Sequence, residues 1–484
     1  MTAALQFGAE RIAPTEIERR ATCGAAGLER AGVREDDVVA LMLHNEPAHL
    51  EAILAARRLG AYSCPINWHY KADEAGFILR DSGAKVLVAS PVLLAQIGGA
   101  VPPGVTVIDD WAGWRDAHAP WTGAPRPPRG NMPYTSGTTG RPKGVRRAPT
   151  TEAQRRLAAE LYKTVLGIRP DMRALVAAPL YHSAPNLYGV QVLLAGELLV
   201  LEPRFDAERT LALVERHRLT DLYLVPTMYV RLLRLPPEAR RRYDLSSVRF
   251  VSSTGSPCAP EVKRAMIEWW GPVFTETYAS SEAGHITFID SHEWLRRPGS
   301  AGRPVGAGRV KILDDDGREL PPGEVGLIYA RQPAYPDFTY TNNPAARGAI
   351  ERDGLWSVGD MGYLDADGYL YVADRKSDMV ISGGVNIYPA EIESVLLTLP
   401  GVADCAVFGI PDAEFGEALA AAVQPRPGAH LTADDIRTKL RERIAGYKVP
   451  RVVTFHDALP REDSGKIFKR LLREPYWREA GRRI

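Results

Sequence analysis

The chain has 484 residues, more than one hydrophobic core usually supports, so we expect at least two domains. Its 60 Lys and Arg residues nearly balance its 59 Asp and Glu residues, which excludes a strongly basic nucleic-acid binder and a bulk attraction to anionic membranes. Hydrophobic residues make up 45% and charged residues 25%, as is typical of globular proteins.

The cysteines and the apolar runs give no sign of secretion or membrane insertion. The cysteines are widely spaced and form no Cys-x-x-Cys pair, so we expect neither a disulfide framework nor a zinc site; they are Cys23, Cys64, Cys258 and Cys405. The first residues lack the basic start and apolar core of a signal peptide. The longest apolar stretch, residues 190–201, contains Glu197 and is too short to span a bilayer. We therefore expect a cytoplasmic protein without stable membrane insertion.

The first half of the chain alternates strand-like and helix-like segments. Compact apolar runs predict strands at residues 37–43, 62–66, 85–89, 174–178 and 222–225. Segments rich in Ala and Leu predict helices at residues 48–59, 72–80 and 207–216. This alternation is typical of β-α-β units, so we predict an α/β fold with mostly parallel sheets covered by helices.

The pattern changes near residue 305, where two Asp-Gly pairs lie between β-rich runs. Asp316-Gly317 and Asp367-Gly368 predict tight turns between antiparallel strands. We therefore expect a β-rich subdomain to follow the covered sheets within the N-terminal domain.

The last hundred or so residues predict a small α+β domain. Strands are expected at 402–408 and 418–423, and a helix at 434–444 with Thr432 as its N-cap. A charged segment, residues 374–378, precedes this unit and the Gly383-Gly384 pair. We place the boundary there, between a large N-terminal domain of residues 1–374 and a small, mobile C-terminal domain of residues 375–484.

Residues 134–144 form the most informative motif, Tyr-Thr-Ser-Gly-Thr-Thr-Gly-Arg-Pro-Lys-Gly. Its glycines let backbone N–H groups surround an anion, its hydroxyl groups can donate to phosphoryl oxygens, and Lys143 adds a positive charge. The spacing differs from that of a Walker loop. A shorter Gly/Thr run would usually be a surface turn, but this full run favours a polyphosphate-binding loop.

The motif resembles the nucleotide-binding loop of the adenylate-forming enzymes, which include acyl-CoA synthetases, luciferases and the adenylation domains of peptide synthetases. With the matches described below, the resemblance extends from about residue 36 to about residue 470. It implies that the loop binds the outer phosphates of ATP. The residues so implied are Thr135, Ser136, Gly137, Thr138, Thr139, Gly140 and Lys143.

Other segments resemble the remaining nucleotide contacts of these enzymes. Residues 277–282, Thr-Tyr-Ala-Ser-Ser-Glu, differ from the usual Tyr-Gly-x-Thr-Glu at Ala279 and Ser281 but keep the hydroxyl and the carboxylate. The resemblance implies that Tyr278 stacks on adenine and that Glu282 binds Mg²⁺, for which one carboxylate plus phosphates is sufficient. The ATP-binding residues implied by these segments are Gly255, Ser256, Pro257, Thr277, Tyr278, Ser281, Asp360 and Arg375.

Asp360 and Arg375 would contact the ribose and the phosphate region, because a carboxylate accepts from vicinal hydroxyls and a guanidinium donates in a fork. Outside this context such a pair would more often be a surface ion pair.

Two further residues carry the implied chemistry. Lys466, in the segment Asp-Ser-Gly-Lys-Ile, matches the family's C-terminal lysine, which bridges the α-phosphate and the attacking carboxylate. A cation there lowers the repulsion of two anions mainly in the transition state. His182 matches a position near the acyl carboxylate. The acyl pocket would be lined from residues 181–186, 225–228 and 251–254.

The acceptor of the acyl group is indicated by Ser382, Gly383 and Gly384, which resemble the segment lining the pantetheine tunnel of acyl-CoA synthetases. The chain then reads as an ATP-dependent acyl-CoA synthetase for a monocarboxylic acid, fatty or otherwise apolar. It would use Mg²⁺, with ATP and CoA as co-substrates. Two alternatives stay open: an acyl-AMP ligase that loads a carrier protein, and a nucleotide-binding relative without activity. Luciferase-type oxygenation shares the motifs.

Overall fold

The computed structural model describes residues 1–135, 142–256, 258–383, 385–461 and 467–480. The first region contains β1 (Ala4–Phe7), β2 (Glu10–Ile12), α1 (Pro14–Arg30), β3 (Val38–Met42), α2 (Pro47–Arg58), β4 (Tyr62–Pro65), α3 (Ala72–Ser82), β5 (Ala84–Ala89), α4 (Pro91–Ile97), β6 (Thr106–Ile108) and α5 (Trp111–Asp116). Strands β4, β3, β5 and β6 form a parallel sheet in that order.

Both faces of this sheet are buried, as its apolar sequences require. Along β3, Val39 and Leu41 contribute to the largest hydrophobic core, while Val38, Ala40 and Met42 contribute to a second core on the other face. Because side chains alternate along a strand, an unbroken apolar run can fill two cores only when helices or other elements cover both faces.

The second region continues the α/β pattern. It contains β7 (Tyr134–Thr135), β8 (Lys143–Arg147), α6 (Glu152–Leu166), β9 (Arg173–Val176), α7 (Ser183–Ala195), β10 (Leu198–Leu201), α8 (Ala207–His217), β11 (Asp221–Tyr223), α9 (Pro226–Leu233), α10 (Pro237–Arg242), β12 (Phe250–Ser253), α11 (Pro260–Trp270) and β13 (Phe274–Glu276). The sheet order is β13-β12-β11-β9-β10-β1-β2, parallel except for the edge hairpin β1–β2.

The third region is β-rich, as predicted. It contains β14 (Ala279–Ser280), β15 (Gly284–His285), β16 (Thr287–Phe288), α12 (Ser291–Arg296), β17 (Arg303–Pro304), β18 (Arg309–Leu313), β19 (Gly326–Arg331), β20 (Phe338–Tyr340), α13 (Pro344–Ala349), β21 (Glu351–Arg352), β22 (Leu355–Trp356), β23 (Asp360–Leu364) and β24 (Leu370–Arg375). Both Asp-Gly turns are confirmed: Gly317 and Gly368 have φ of 83° and 80°, which glycine adopts without strain.

The C-terminal domain has its own core and sheet. It contains β25 (Val380–Ser382), β26 (Val385–Ile387), α14 (Pro389–Thr398), β27 (Val402–Asp412), β28 (Gly416–Pro425), α15 (Ala433–Arg441), β29 (Val452–Phe455) and α16 (Lys469–Glu479). Strands β27 and β28 pair antiparallel, and side chains of both strands pack with α14 and α15 in one cluster. The position of the domain boundary stays a prediction.

The predicted α/β fold class and the predicted elements are confirmed, with shifted ends. The strand expected at 222–225 ends at Tyr223, and Val225, although extended, is the N-cap of α9, which begins at Pro226. The helix expected at 434–444 ends at Arg441, while its predicted cap is present, since Thr432 Oγ1 accepts from Asp435 N at 3.1 Å. No helix in the described ranges is both long and apolar enough to cross a membrane.

Candidate active site

The carboxyl ends of the parallel strands open into one large cleft of about 3210 Å³. Its lining includes the residues that follow β9, β11, β12 and β13, namely Ala177, Val225, Thr254 and Thr277. The C-terminal domain forms part of the opposite wall through residues such as Glu393 and Lys469. Ligands of open α/β sheets bind beyond the carboxyl ends of strands, so this cleft is the candidate active site.

Glu282 is the buried acid at the centre of the predicted nucleotide site. It is 5% exposed, and its Oε1 accepts from Tyr340 Oη at 2.9 Å and from Thr135 Oγ1 at 3.4 Å. Burial and the neighbouring carboxylate raise the pKa of Tyr340, so this hydroxyl remains a donor. Within the described ranges Oε2 makes no hydrogen bond, and the residue lines the cleft. One carboxylate oxygen is therefore positioned by two hydroxyl groups, and the residue borders the cleft.

The Glu282 carboxylate is compatible with the predicted Mg²⁺ site if phosphates and water supply the other ligands. No group of three or more His, Cys, Asp or Glu side chains among the described residues could hold a metal by itself. A single acid suits Mg²⁺ that takes its remaining ligands from water and from substrate phosphates. The residues present are compatible with a metal that arrives with ATP.

The predicted phosphate-binding loop is bounded by two residues that line the cleft. Thr135 and Lys143 are paired across β7 and β8, and both line the cleft. Lys143 Nζ lies 5.2 Å from the centroid of the Tyr340 ring. The residues between them, including Ser136, Gly137, Thr138, Thr139 and Gly140, lie outside the described residues. The register of the hairpin therefore fixes both ends of the loop beside Glu282.

Asp360 and Arg375 lie opposite each other on β23 and β24 and line the cleft. Arg375 Nε is 3.4 Å from Asp360 Oδ1, and Tyr278 Oη donates to Asp360 Oδ2 at 2.7 Å. Burial and the Asp360 carboxylate raise the pKa of Tyr278, so its hydroxyl stays protonated. The structure thus connects the three predicted nucleoside contacts through one carboxylate.

Replacing Asp360 with alanine should weaken ATP binding, because it removes the carboxylate and leaves the Tyr278 hydroxyl without its acceptor. Hydrogen bonds to a charged group contribute about 1.5–3 kcal/mol, so we expect the KM for ATP to rise about 10- to 100-fold. Steady-state pyrophosphate release measures this, with Asp316→Ala on an exposed turn as the control. An unchanged KM for ATP would remove Asp360 from the nucleotide site.

The loop after β12 supplies further cleft residues. Gly255 and Ser256 line the cleft, and Gly255 has φ of 98°, a conformation that favours glycine. Thr254 Oγ1 donates to the carbonyl of Thr277 at 2.9 Å and so joins this loop to the segment that precedes Glu282. Pro257 lies outside the described residues.

His182 and Ser281 lie at the same end of the cleft. His182 occupies the N-cap position of α7, and the next residue, Ser183, has its Oγ 3.3 Å from Ser281 Oγ. Both His182 and Ser281 line the cleft. The start of α7 therefore meets the segment that carries Glu282.

The predicted acyl pocket needs two corrections. Residues 181–185 and 225–228 line the cleft, but Asn186 does not, because it is fully buried and its Nδ2 donates to the Leu180 carbonyl at 2.8 Å. Leu187 lines the cleft instead. Of residues 251–254 only Thr254 does so, since the other three form buried β12.

The predicted site residues of the C-terminal domain belong to two separate segments. Lys466 lies outside the described residues, but Arg461 and Ile467, which flank its segment, are bridged to each other and line the cleft. Ser382 and Gly383 are absent from the described lining of the cleft. Ser382 pairs with Gly416, and Gly383 N donates to the Phe415 carbonyl at 2.9 Å. Gly384 lies outside the described residues.

Sequence motifs missed an inner layer of polar residues beside Glu282. Arg147 donates to the carbonyls of Ser281, Glu282 and Pro336 at 2.7–2.9 Å, and its guanidinium lies 5.0 Å from the centroid of the Tyr335 ring. Tyr335 Oη and His285 Nδ1 are 2.7 Å apart. No local pattern marks these residues, because they meet only after three distant segments fold together.

Two buried histidines give the fold a predicted pH dependence. Burial lowers the pKa of His49 and of His285 from 6.5 to about 4. Between these values the unfolded chain binds more protons than the folded chain, so the free energy of unfolding falls as the pH drops from about 6.5 towards 4. At pH 5 each histidine should lower the free energy of unfolding by about 2 kcal/mol relative to its value at high pH.

Chemical denaturation at pH 7.5 and pH 5 measures the effect. Between the two pH values the free energy of unfolding should fall less in His49→Leu than in the wild type. The decrease should be unchanged in His430→Leu, where the histidine is exposed. An equal loss in all three proteins would contradict the assignment.

Comparisons with known proteins agree with this geometry. The family model described as AMP-binding enzyme matches residues 2–335, and that of the AMP-binding enzyme C-terminal domain matches residues 391–466. The chain is 36% identical to a feruloyl-CoA synthase of an Amycolatopsis species, with 96% of this chain and 94% of that protein covered. It is 35% identical to an indoleacetate–CoA ligase of Aromatoleum aromaticum, covering 92% and 89%.

Solved structures agree as well. The crystal structure of ATP-bound MatB from Rhodopseudomonas palustris matches with a TM-score of 0.86 and 29% identity, covering 98% of this chain and 96% of that one. The matching family models together span most of the chain, and the cleft residues carry the family's motifs. The chain therefore belongs to the AMP-binding enzyme family, as an AMP-forming ligase of the acyl-CoA synthetase type.

Proposed function

We propose that the chain activates an apolar carboxylic acid with ATP and then transfers the acyl group to CoA. In the first step a carboxylate oxygen attacks the α-phosphorus of ATP, the bond to the bridging oxygen breaks, and pyrophosphate leaves with its electron pair. In the second step the CoA thiol loses its proton, and its sulfur attacks the acyl carbonyl. The acyl–oxygen bond then breaks and AMP leaves.

One observation carries this proposal: Glu282, both ends of the proposed phosphate loop and the Asp360–Arg375 pair line the same cleft. When bound, Mg²⁺ would supply charge neutralisation on the phosphates. Lys143 and Arg375 add fixed positive charge around the same space. Such groups lower the barrier when they are already oriented towards the charge that develops.

We place Lys466 at the reacting carboxylate and Asp360, Arg375 and Tyr278 at the nucleoside. Arg461 and Ile467 line the cleft, which supports the presence of the lysine segment on the same side as Glu282. His182 and Ser183 would lie beside the acyl carboxylate, because Ser183 contacts Ser281.

Thioester formation calls for a different arrangement of the C-terminal domain. Gly383 forms a turn against Phe415 and is not among the described cleft residues, so this arrangement suits adenylation. We propose a boundary between residues 374 and 375 and a rotation there that brings Ser382, Gly383 and Gly384 to the cleft. Asp374 Oδ2 accepts from Ala390 N at 2.9 Å, a contact that such a rotation would have to rearrange.

The acyl substrate is proposed to be aromatic. Side chains that line the cleft include small and aromatic ones: Ala158, Ala159, Tyr162, Ala334 and Tyr335. Small residues leave room for a ring, and aromatic side chains favour contact with another ring. Two relatives, a feruloyl-CoA synthase and an indoleacetate–CoA ligase, have names that denote aromatic acids, while another at 35% identity is named a long-chain-fatty-acid–CoA ligase, so the proposal rests on the lining side chains.

A panel of aromatic and fatty acids, incubated with ATP, Mg²⁺ and CoA, tests the proposal. Mass spectrometry should detect acyl-CoA and AMP with at least one aromatic acid. Acyl transfer to a carrier protein without any acyl-CoA would favour the carrier-loading alternative. Nucleotide binding without AMP release from any acid would favour a relative without activity.

A further inference from the structure

The segment after Glu282 carries a buried imidazole with no assigned role. His285 is 4% exposed, and its Nε2 has no hydrogen-bonding partner in the described structure. A buried polar atom without a partner destabilises the fold, so native proteins retain few of them. The residue nevertheless lines the cleft, so a ligand in the cleft could supply the missing partner.

The position of His285 relates it to the reacting end of the substrate. Strands β14 and β15 form a short hairpin in which His285 pairs with Ala279 and Gly284 pairs with Ser280. The turn of this hairpin contains Ser281 and Glu282. The imidazole thus follows, by three residues along the chain, the carboxylate that we assign to Mg²⁺. We place it on the wall of the cleft that would face the acyl group.

Two tyrosines hold the imidazole in place. Tyr335 Oη lies 2.7 Å from His285 Nδ1, with the rings stacked at 27°, and Tyr162 lies 6.2 Å from the Tyr335 ring between centroids. Gly284 lets Tyr335 approach, because a Cβ at residue 284 would lie 2.3 Å from Tyr335 Cδ2. With Nδ1 engaged by Tyr335, only Nε2 remains for a ligand.

The surrounding charges select the kind of ligand group. Arg147 is the neighbouring cation, and three of its five N–H donors are used by backbone carbonyls. A cationic substituent would be repelled by Arg147, and most of the guanidinium donors that an anionic one would need are already engaged. A neutral hydroxyl can both donate and accept, so it can pair with either tautomer of His285.

We infer that His285 determines specificity by hydrogen-bonding a ring hydroxyl of an aromatic acid substrate, with Tyr335 fixing the imidazole. This inference rests on the proposed function, because it requires an acyl group in this part of the cleft. A stripe of side chains on α7 would border the substrate. Its members are Ser183, Leu187 and Gln191, which span about 12 Å at the helical rise of 1.5 Å per residue.

The test compares benzoate and cinnamate with their 2-, 3- and 4-hydroxy derivatives. For each pair, kcat/KM for pyrophosphate release is measured, and the ratio of hydroxylated to unsubstituted acid is the quantity of interest. The wild type should prefer at least one hydroxylated isomer by about 10- to 100-fold, as sites built for a substrate hydroxyl discriminate strongly against its absence. Equal rates for every pair would overturn the inference.

Three variants test whether His285 and Tyr335 cause the preference for a hydroxylated acid. His285→Asn keeps a group towards Tyr335 but removes the atom at Nε2, so the ratio should fall to near 1. His285→Gln places an amide close to Nε2 and should keep part of the preference. Tyr335→Phe retains the ring but frees the imidazole, and the ratio should fall at least threefold. The exposed controls His430→Asn and Tyr447→Phe should keep the wild-type ratio. An unchanged ratio in His285→Asn would overturn the inference.

A measurement on the wild type covers the case in which a variant does not fold. In protein labelled with ¹⁵N-histidine, the Nε2 resonance assigned to His285 should shift on binding of the preferred hydroxylated acid and stay in place with the unsubstituted acid. The same shift with both acids would contradict a bond to the hydroxyl. The proposed function fails separately, if the wild type forms no acyl-AMP from any acid.

Discussion

Replacing Lys466 with alanine is expected to slow formation of acyl-AMP by about 10²–10³-fold, the range seen when one preorganised transition-state stabiliser is removed. The lysine would bridge the attacking carboxylate and the α-phosphate, two anions that must approach each other. Transfer of the acyl group from presynthesised acyl-AMP to CoA should keep its wild-type rate, because the lysine segment would have left the cleft by then.

Single-turnover measurements of the two half-reactions separate these effects. Lys439→Ala is a matched control, since Lys439 lies on α15 of the same domain and does not line the cleft. Equal damage to both half-reactions in the Lys466 variant would refute the rotation of the C-terminal domain. A wild-type rate of adenylation would refute the role of Lys466 itself.

The change Glu282→Gln should also slow adenylation by about 10²–10³-fold, because it removes the negative charge that would bind the metal while keeping the size of the side chain. The amide can still accept from Tyr340, so the surrounding structure should persist. We expect partial rescue of the rate at high Mg²⁺ concentration, since the remaining ligands would come from phosphates and water.

The rate of pyrophosphate release as a function of Mg²⁺ concentration checks this prediction. Glu324→Gln serves as control, because Glu324 is exposed and outside the described cleft lining. If the Glu282 variant shows the wild-type dependence on Mg²⁺, the carboxylate does not bind the metal. A lower melting temperature with a normal rate would leave Glu282 with a structural role only.

Much of the fold could be predicted because its signals are local. The apolar runs of β3 and β5, the Asp-Gly turns and the Thr432 cap each depend on a few neighbouring residues, and each is present. The predicted ends of strands and helices were less accurate, since contacts with the rest of the fold determine where each element ends. The strand expected at 174–178 ends at Val176, and the two alanines that follow it line the cleft.

The residues of the candidate site also differ in whether local sequence identifies them. Thr135, Glu282, Asp360 and Arg375 could be predicted because they lie in segments that resemble family motifs, and the structure brings them to one cleft. Arg147, Tyr335 and His285 could not, because their function depends on contacts between segments about 50 to 190 residues apart. Asn186 was misassigned for a related reason: its bond to the Leu180 carbonyl turns it away from the cleft.

The most direct measurement follows an oxygen atom of the acid. The accepted acid, labelled with ¹⁸O in both carboxylate positions, is converted with ATP, Mg²⁺ and CoA, and the nucleotide product is analysed by mass spectrometry. We expect AMP that carries one ¹⁸O atom, because the attacking oxygen stays on phosphorus when the thiol displaces the AMP. Unlabelled AMP, or ADP as the nucleotide product, would contradict activation of the acid as its adenylate.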